Sequence, residues 1–166
     1  MTRIHYFLLA LIPVVLLAAW HYLSPARQLK AAQQHFVEAI SSKDANAIAR
    51  LIHPDYTDQW GFSAADWPGL LKDLRTLSPI LEVNLVNPVI DAPNGVVDTS
   101  LQVKSTGSPA SELIEGRGVE LKETTRFTWK RDNWQPWSWR LVNVQNPALQ
   151  IPSDYRPGQL TALPAF

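Results

Sequence analysis

The sequence predicts an α+β fold in which three helices pack on a curved antiparallel sheet. Hydrophobic residues recur at helical spacing before Pro79 and at every second position after it. Helices followed by a run of strands are typical of a sheet that wraps around the helices. We therefore expect a domain at residues 25–146, preceded by a single transmembrane or signal-anchor helix at 1–24 and followed by a Pro-rich tail, extended or disordered, at 147–166.

The composition argues against several classes of partner and cofactor. Acidic and basic side chains are equal in number, 15 of each, and the basic ones form no run, which argues against nucleic acid as a partner. The absence of cysteine excludes disulfides and thiolate metal sites. No H-E-x-x-H motif and no glycine-rich phosphate loop occurs, so we expect no metal and no other cofactor.

The N-terminal stretch predicts a membrane anchor. Residues 6–23 contain no Asp, Glu, Lys or Arg and come close to the roughly 20 residues that span a bilayer core. Tyr6 at one end and Trp20 and Tyr22 at the other lie where aromatic belts form. We expect contact with the membrane through residues 6–23 and an extracytoplasmic, periplasmic domain.

A cleaved signal peptide is the alternative interpretation of the same stretch. Its apolar core of about 15 residues also fits that class. The possible cleavage sites are poor, because residues 24–26 read Ser-Pro-Ala and residues 17–19 place a leucine where a small residue is required. The anchor is therefore favoured over secretion after cleavage, and a buried core helix is the least favoured interpretation.

The region from Gln28 to Asp58 predicts two helices. The first ends near residues 41–43, and its apolar stripe contains Leu29, Ala32, Phe36, Ala39 and Ile40. Asp44 is a good N-cap for a short second helix, which Pro54 ends.

A third helix follows a capping box. Ser63 and Asp66 have the spacing of that motif. The apolar residues after it recur at helical spacing, at Trp67, Leu70, Leu71 and Leu74. We expect this helix to reach about Leu77 and to stop before Pro79.

The first two strands share one apolar face. A predicted three-residue hairpin loop at 93–95 aligns odd positions with odd positions. The inward side chains should then be Leu81, Val83, Leu85, Asn87 and Val89 on one strand and Val97, Thr99, Leu101 and Val103 on the next.

The third strand shows the clearest alternation, between residues 119 and 130. A tight turn at 131–133 would join it to the last strand. The facing pairs would then be Phe127 with Trp137, Thr125 with Trp139, and Glu123 with Leu141.

The element order resembles that of the NTF2-like, or SnoaL-like, family. The resemblance rests on a long helix, the break capped by Asp44, a short helix and then Pro54-Asp55-Tyr56, and it covers roughly Gln28 to Asn146. Residues 130–134 also look like the terminal hairpin of the family. The resemblance implies a cone-shaped fold, with a small β-barrel or a cystatin-like roll as the alternatives.

The resemblance implies a range of functions rather than one. NTF2-like domains serve as isomerases, dehydratases, binding modules and scaffolds, and the enzymes use a Tyr or His donor and an Asp base inside the cone. No Asp lies on the inward phase of the late strands here, so the resemblance transfers no catalytic residue.

Polar residues on the inward phase mark a candidate pocket. Glu123 is the strongest candidate for a catalytic acid or base, because a desolvated carboxylate has a raised pKa. The competing interpretation is that a β-bulge turns Glu123 outward. Further pocket candidates are His35, Tyr56, Asn87, Thr99, Thr125, Trp139 and Asn143.

Two functions from different classes follow. The first is a membrane-anchored extracytoplasmic module that binds a small apolar ligand or another protein, with a homodimer as an expected assembly. The second is an acid–base enzyme of the isomerase or dehydratase type, in which Glu123 acts as the base and Tyr56 or His35 as the donor. The absence of a convincing pair of titratable groups favours the first.

Overall fold

The computed structural model describes residues 24–108, 111, 116, 120–135 and 137–160. It is an α+β domain with three helices and a four-stranded antiparallel sheet. Within these ranges no helix has the length and apolarity needed to cross a bilayer. The predicted anchor at residues 6–23 lies outside the described residues.

The helices begin and end where the sequence predicts. Helix α1 spans Pro25–Ser42 and ends at Lys43, which takes a left-handed conformation. The side chain of Asp44 accepts two backbone N–H groups at the start of α2, Ala45–Leu51. The predicted capping box precedes a 3₁₀ turn, Ala64–Asp66, and α3 follows at Trp67–Leu77.

The four strands follow one another in the sheet in chain order. They are β1 at Ile80–Asp91, β2 at Val96–Thr106, β3 at Thr125–Arg131 and β4 at Trp139–Gln145. Residues 52–59, the edge segment, cover the outer edge of β4: the N–H groups of His53, Thr57 and Gln59 donate to carbonyls of that strand.

The core lies between the helices and the inner face of the sheet. Phe36 of α1 is at its centre and makes edge-to-face contacts with Trp67, Phe127 and Trp129, at ring-centroid distances of 5.5, 6.0 and 6.0 Å. The other buried apolar residues that pack there include Leu29, Ile48, Leu71, Val97 and Leu141. Burial of this cluster joins α1 and α3 to the sheet.

The first hairpin differs from the prediction in its loop length and in a bulge in β1. Asp91 pairs with Val96, so the loop has four residues and not three, and odd positions face even ones near it. The register shifts between Val86 and Val89, where Asn87 has a φ of 50°. Beyond the bulge the predicted parity holds, but Val89 and Asn87 are exposed instead of inward.

The predicted pairing of the last two strands is also wrong. β3 begins only at Thr125, after a 3₁₀ turn at Glu120–Lys122. Phe127 faces Val144 and not Trp137, because the connection extends over residues 132–138 and closes by a hydrogen bond from the Asp132 N–H to the Ser138 carbonyl. A further register shift in β4 turns Asn143 away from the phase of Leu141.

Residues 147–160, the strap, cross α3. One of their attachments is the carboxylate of Asp73, which is 2% exposed. It accepts hydrogen bonds from the Tyr155 hydroxyl at 2.7 Å and from the N–H groups of Gly158 and Leu160 at 2.7 and 3.1 Å. The expected extended or disordered tail therefore packs on the domain over this part of its length.

Replacement of Asp73 by Asn should loosen residues 155–160 of the strap from α3. An amide nitrogen in place of one carboxylate oxygen faces donors, so at least one buried N–H or O–H loses its acceptor, at a cost of about 1–3 kcal/mol. Urea denaturation should show this loss, and limited proteolysis should cut the strap first. The matched control is Asp154→Asn, an exposed residue of the strap itself, which should behave as wild type. Equal stability of the two variants would contradict the assignment.

Gly69→Ala tests the same contact from the helix side. Alanine normally stabilises a helix interior by about 1 kcal/mol relative to glycine. Here its Cβ would lie 2.8 Å from the backbone carbonyl carbon of Pro157, so we expect destabilisation in the same urea experiment. A stabilised variant would show that the strap does not press against α3.

Candidate functional site

A largely apolar cavity of about 180 Å³ opens between α1, α3, the sheet and the strap. Its apolar lining is formed by Phe36, Val37, Ile40, Phe62, Leu70, Val83, Leu101, Leu121, Phe127, Val144, Leu149 and Ile151. Four polar residues, Tyr56, Asp58, Thr125 and Asn146, also reach it, together with Trp60 and Trp67. Apolar walls with a few converging polar groups are typical of a site for a small molecule.

Tyr56 and Asp58 form the central polar pair. The Tyr56 hydroxyl donates to Oδ2 of Asp58 at 3.1 Å, and both side chains are buried. The edge segment places them: Thr57 and Gln59 donate their N–H groups to β4, and side chains two residues apart on an extended segment share a face. The two side chains therefore reach the cavity together.

Burial sets the protonation of this pair. Desolvation raises the pKa of the Asp58 carboxyl, although hydrogen bonds from the Phe62 N–H, the Tyr56 hydroxyl and the Trp60 N–H act in the opposite direction. Burial, and then the charge of Asp58, raises the pKa of Tyr56 above its usual range. Tyr56 is thus a protonated donor at neutral pH, and Asp58 is a carboxyl whose charged form is poorly solvated.

Two further groups on the cavity wall have hydrogen-bonding capacity. The Trp67 indole N–H is buried and has no acceptor among the described residues. The Thr125 hydroxyl accepts from the side-chain amide of Asn146 at 2.8 Å, and a hydroxyl can donate as well as accept. A bound carbonyl or hydroxyl could satisfy either group.

Asn146 connects the cavity to the strap and is fully buried. Its side-chain oxygen accepts the N–H groups of Ala148 and Leu149 at 3.0 and 3.1 Å. Its backbone N–H and carbonyl bind the two ends of the Gln59 amide at 2.9 and 2.5 Å. These contacts hold the first residues of the strap, including Leu149, over the cavity.

The strongest sequence candidate does not reach the site. Glu123 lies in a bend before β3 and is exposed, so the prediction that it faces inward on a strand is wrong. The alternation of residues 119–129 predicts one continuous strand, but a 3₁₀ turn at Glu120–Lys122 interrupts it ahead of β3. His35 is also exposed, on the outer side of α1.

The remaining predicted residues divide into two groups. Tyr56 and Thr125 line the cavity. The others have structural contacts: Asn87 forms the β1 bulge, Thr99 donates to the Val86 carbonyl beside it, Asn143 donates to the Thr57 carbonyl, and Trp139 packs against Arg131 outside the cavity. Within the described ranges no three His, Asp or Glu residues come together as a possible metal site.

The sequence marks Asp58, like Asp55, only as a neighbour of Tyr56, and Asp58 is not among the predicted pocket residues. The available signal was its spacing of two from Tyr56 in the segment that follows Pro54. That spacing places both side chains on one face only if the segment is extended. Its pairing with β4, a strand more than 80 residues later, decides this conformation.

Neither a family model nor a curated protein matches the chain. Solved structures match in fold. The Bdellovibrio bacteriovorus protein Bd1075 has a TM-score of 0.53 at 14% identity over 72% of this chain and 40% of its own. A loop-truncation variant of IdmH has a TM-score of 0.50 at 15% identity, over 70% of this chain and 88% of its own. The S. rosetta CaMKII hub has a TM-score of 0.51 at 16% identity, over 73% of this chain and 94% of its own.

These comparisons concern the fold. The chain spans 40% of the length of Bd1075. A protein described as NTF2-like, from Cytophaga hutchinsonii, is also among the matches, with a TM-score of 0.40 at 6% identity over 70% of this chain and 85% of its own. The α+β fold predicted from the sequence is therefore shared with solved structures.

Asp58→Asn should change how stability depends on pH. Above about pH 4 the unfolded chain has released this proton, whereas the folded chain releases it only at a higher pH, because its pKa is raised. The Asp58 contribution to stability therefore falls as pH rises through the folded pKa, by up to about 1.4 kcal/mol per pH unit. The substituted asparagine does not titrate, and its side-chain oxygen can still accept the Trp60 and Phe62 N–H groups.

Melting temperatures measured across this pH range provide the test. The melting temperature of the variant should rise relative to that of wild type as pH increases from about 4. The difference between the two melting temperatures should level off above the folded pKa of Asp58. Asp66 and Asp98, whose pKa values are lowered, act in the opposite direction in both proteins and cancel in the comparison. Glu123→Gln, which removes an exposed carboxylate, is the control. Parallel curves for Asp58→Asn and wild type would contradict the raised pKa.

Proposed function

We propose that this domain binds a small, mainly apolar molecule that carries a hydroxyl or carbonyl group. The observation that supports this most directly is the cavity itself, with apolar walls and with the hydrogen-bonded Tyr56 and Asp58 among the residues that line it. A ligand of this kind buries its hydrocarbon against the walls and satisfies a few fixed polar groups.

The polar groups restrict the chemistry of the ligand. Asp58 already accepts three hydrogen bonds, but a carboxylate has about four acceptor positions, so a ligand hydroxyl could donate to it. A ligand carbonyl could accept from the indole N–H of Trp67. A strongly anionic ligand is disfavoured, because it would meet the Asp58 carboxylate inside an apolar site.

We place this binding domain at a membrane surface, tethered by residues 6–23 and extracytoplasmic. The support is the uncharged stretch that precedes α1 and its flanking aromatic residues. Secretion after cleavage of the same stretch is the alternative. A homodimer remains a prediction, and subunit counting tests it.

A second candidate function is proton transfer to or from the bound molecule. Asp58, and not Glu123, would be the acid or base, because its pKa is raised by burial in the cavity. Turnover of an isomerase or dehydratase type would then disappear in Asp58→Asn and persist in Glu123→Gln. A binding module predicts weaker binding in Asp58→Asn and no turnover in any of the proteins.

Binding of 2-naphthol to the full chain in mild detergent tests the proposed function. This probe has an apolar body and one hydroxyl, and naphthalene is the same body without it. Val83→Phe fills the cavity wall, so it should weaken 2-naphthol binding at least tenfold in a fluorescence titration. Val89→Phe is the matched control on the same strand, because Val89 is 67% exposed, and it should bind as wild type.

Asp58→Asn separates the polar contact from the apolar one. Loss of a hydrogen bond to a charged group costs about 1.5–3 kcal/mol, or roughly tenfold or more in affinity. We expect this loss for 2-naphthol but not for naphthalene. Native mass spectrometry of the same preparation reports any retained molecule and the number of subunits. Unchanged 2-naphthol binding by folded Val83→Phe would refute the cavity as the site.

A further inference from the structure

Two tryptophans lie on the outside of the domain. The side chains of Trp134 and Trp137, the tryptophan pair, are 78% and 76% exposed. Both belong to the connection between β3 and β4. Exposed large aromatic residues that lie close together mark an interaction surface more often than isolated apolar residues do.

The backbone that carries the tryptophan pair is held by local hydrogen bonds. The Asp132 N–H donates to the Ser138 carbonyl, and the Ser138 hydroxyl lies 2.6 Å from the Asn133 carbonyl and 2.8 Å from that of Gln135. The Gln135 N–H donates to the Asn133 side chain at 2.8 Å. The indoles are thus presented on an ordered support, which lowers the entropy cost of docking them.

Arg131 fixes the position of the tryptophan pair relative to α1. Its Nη2 donates both to the carbonyl of Trp134 and to Oε1 of Gln28, the latter at 3.1 Å. Gln28 is in the first turn of α1, which begins at Pro25. The tryptophan pair therefore lies at the end of the domain where the chain arrives from residues 6–23.

Exposed basic side chains lie close in sequence to this contact. They are Lys30 of α1 and Lys130 of β3, each within two residues of Gln28 or Arg131 along the chain. The nearby carboxylate of Asp132 is paired with Arg140 at 2.7 Å and lies 3.7 Å from His53. Lysine and arginine near a bilayer are each attracted to anionic lipid by about 1 kcal/mol.

We infer that the tryptophan pair is a second membrane contact, which docks the domain on the lipid surface beside its tether. Tryptophan is enriched at the membrane interface, where its ring meets the acyl boundary and its N–H meets the headgroups. The inference rests on the proposed tether. It adds that the domain holds one orientation on the bilayer, with the β3–β4 connection towards the lipid.

A nitroxide beside the pair tests this docking in the full chain. The chain has no cysteine, so Gln135→Cys and Thr106→Cys each introduce a single labelling site. Thr106 is exposed at the opposite end of β2 from Val96, which pairs with β3. The labelled proteins are reconstituted into phosphatidylcholine vesicles that contain phosphatidylglycerol, and collision with oxygen and with a water-soluble nickel reagent is measured.

We expect the label at 135 to lose access to nickel and to gain access to oxygen, while the label at 106 remains water-exposed. Replacement of Trp134 and Trp137 by Ser should return the label at 135 to water, and flotation with the vesicles should persist through the tether. A water-exposed label at 135 in a chain that floats would overturn the docking and leave the tether intact. A chain that does not float overturns both.

Contact between two copies of the chain is the competing explanation for a shielded label. A short distance between labels at 135 in two copies, measured by double electron–electron resonance, would assign the tryptophan pair to a protein interface and overturn the inference. Separated labels with low nickel access support the lipid contact.

Discussion

The hydrogen bonds between the edge segment and β4 are the constraint on which the site depends. They fix residues 52–59 in an extended path, so that Thr57 and Gln59 bind the sheet while Tyr56 and Asp58 reach the cavity. The same bonds cover an edge that would otherwise expose unpaired backbone groups. One pairing therefore completes the sheet and brings two polar side chains into an apolar interior, where each changes the protonation of the other.

Local interactions explain why the helices could be predicted. The caps at Asp44 and at Ser63 and Asp66 join residues only two or three positions apart, so the sequence contains the whole determinant. Strand register depends on loop length and bulges. The bulge at Asn87 reverses the faces over part of β1, and the connection after Arg131 is longer than a tight turn. Neither leaves an unambiguous signal in an alternating pattern.

In the candidate site, too, residues set by local sequence could be predicted, and residues set by distant pairing could not. Thr125 was found because it lies on the regular part of β3, where alternation holds. Glu123 is misplaced because the alternation predicts a strand from residue 119, six residues before β3 begins at Thr125. Asp58 could not be assigned from neighbours alone, since its burial requires β4 and the strap, which come more than 80 residues later. The apolar walls were predictable as core residues, but the space among them was not.

The strap affects how fast a molecule can enter or leave the cavity. Leu149 and Ile151 form part of the cavity wall, and Asn146 and Asp73 attach the strap at two separate points. A molecule that crosses this wall must wait until at least one attachment opens, a local fluctuation that costs less free energy than global unfolding. Entry and exit along this route slow together when the attachments strengthen, so residence time can lengthen with no change in affinity. For the proposed ligand, the polar contacts in the cavity would then determine the affinity and the strap would determine the residence time.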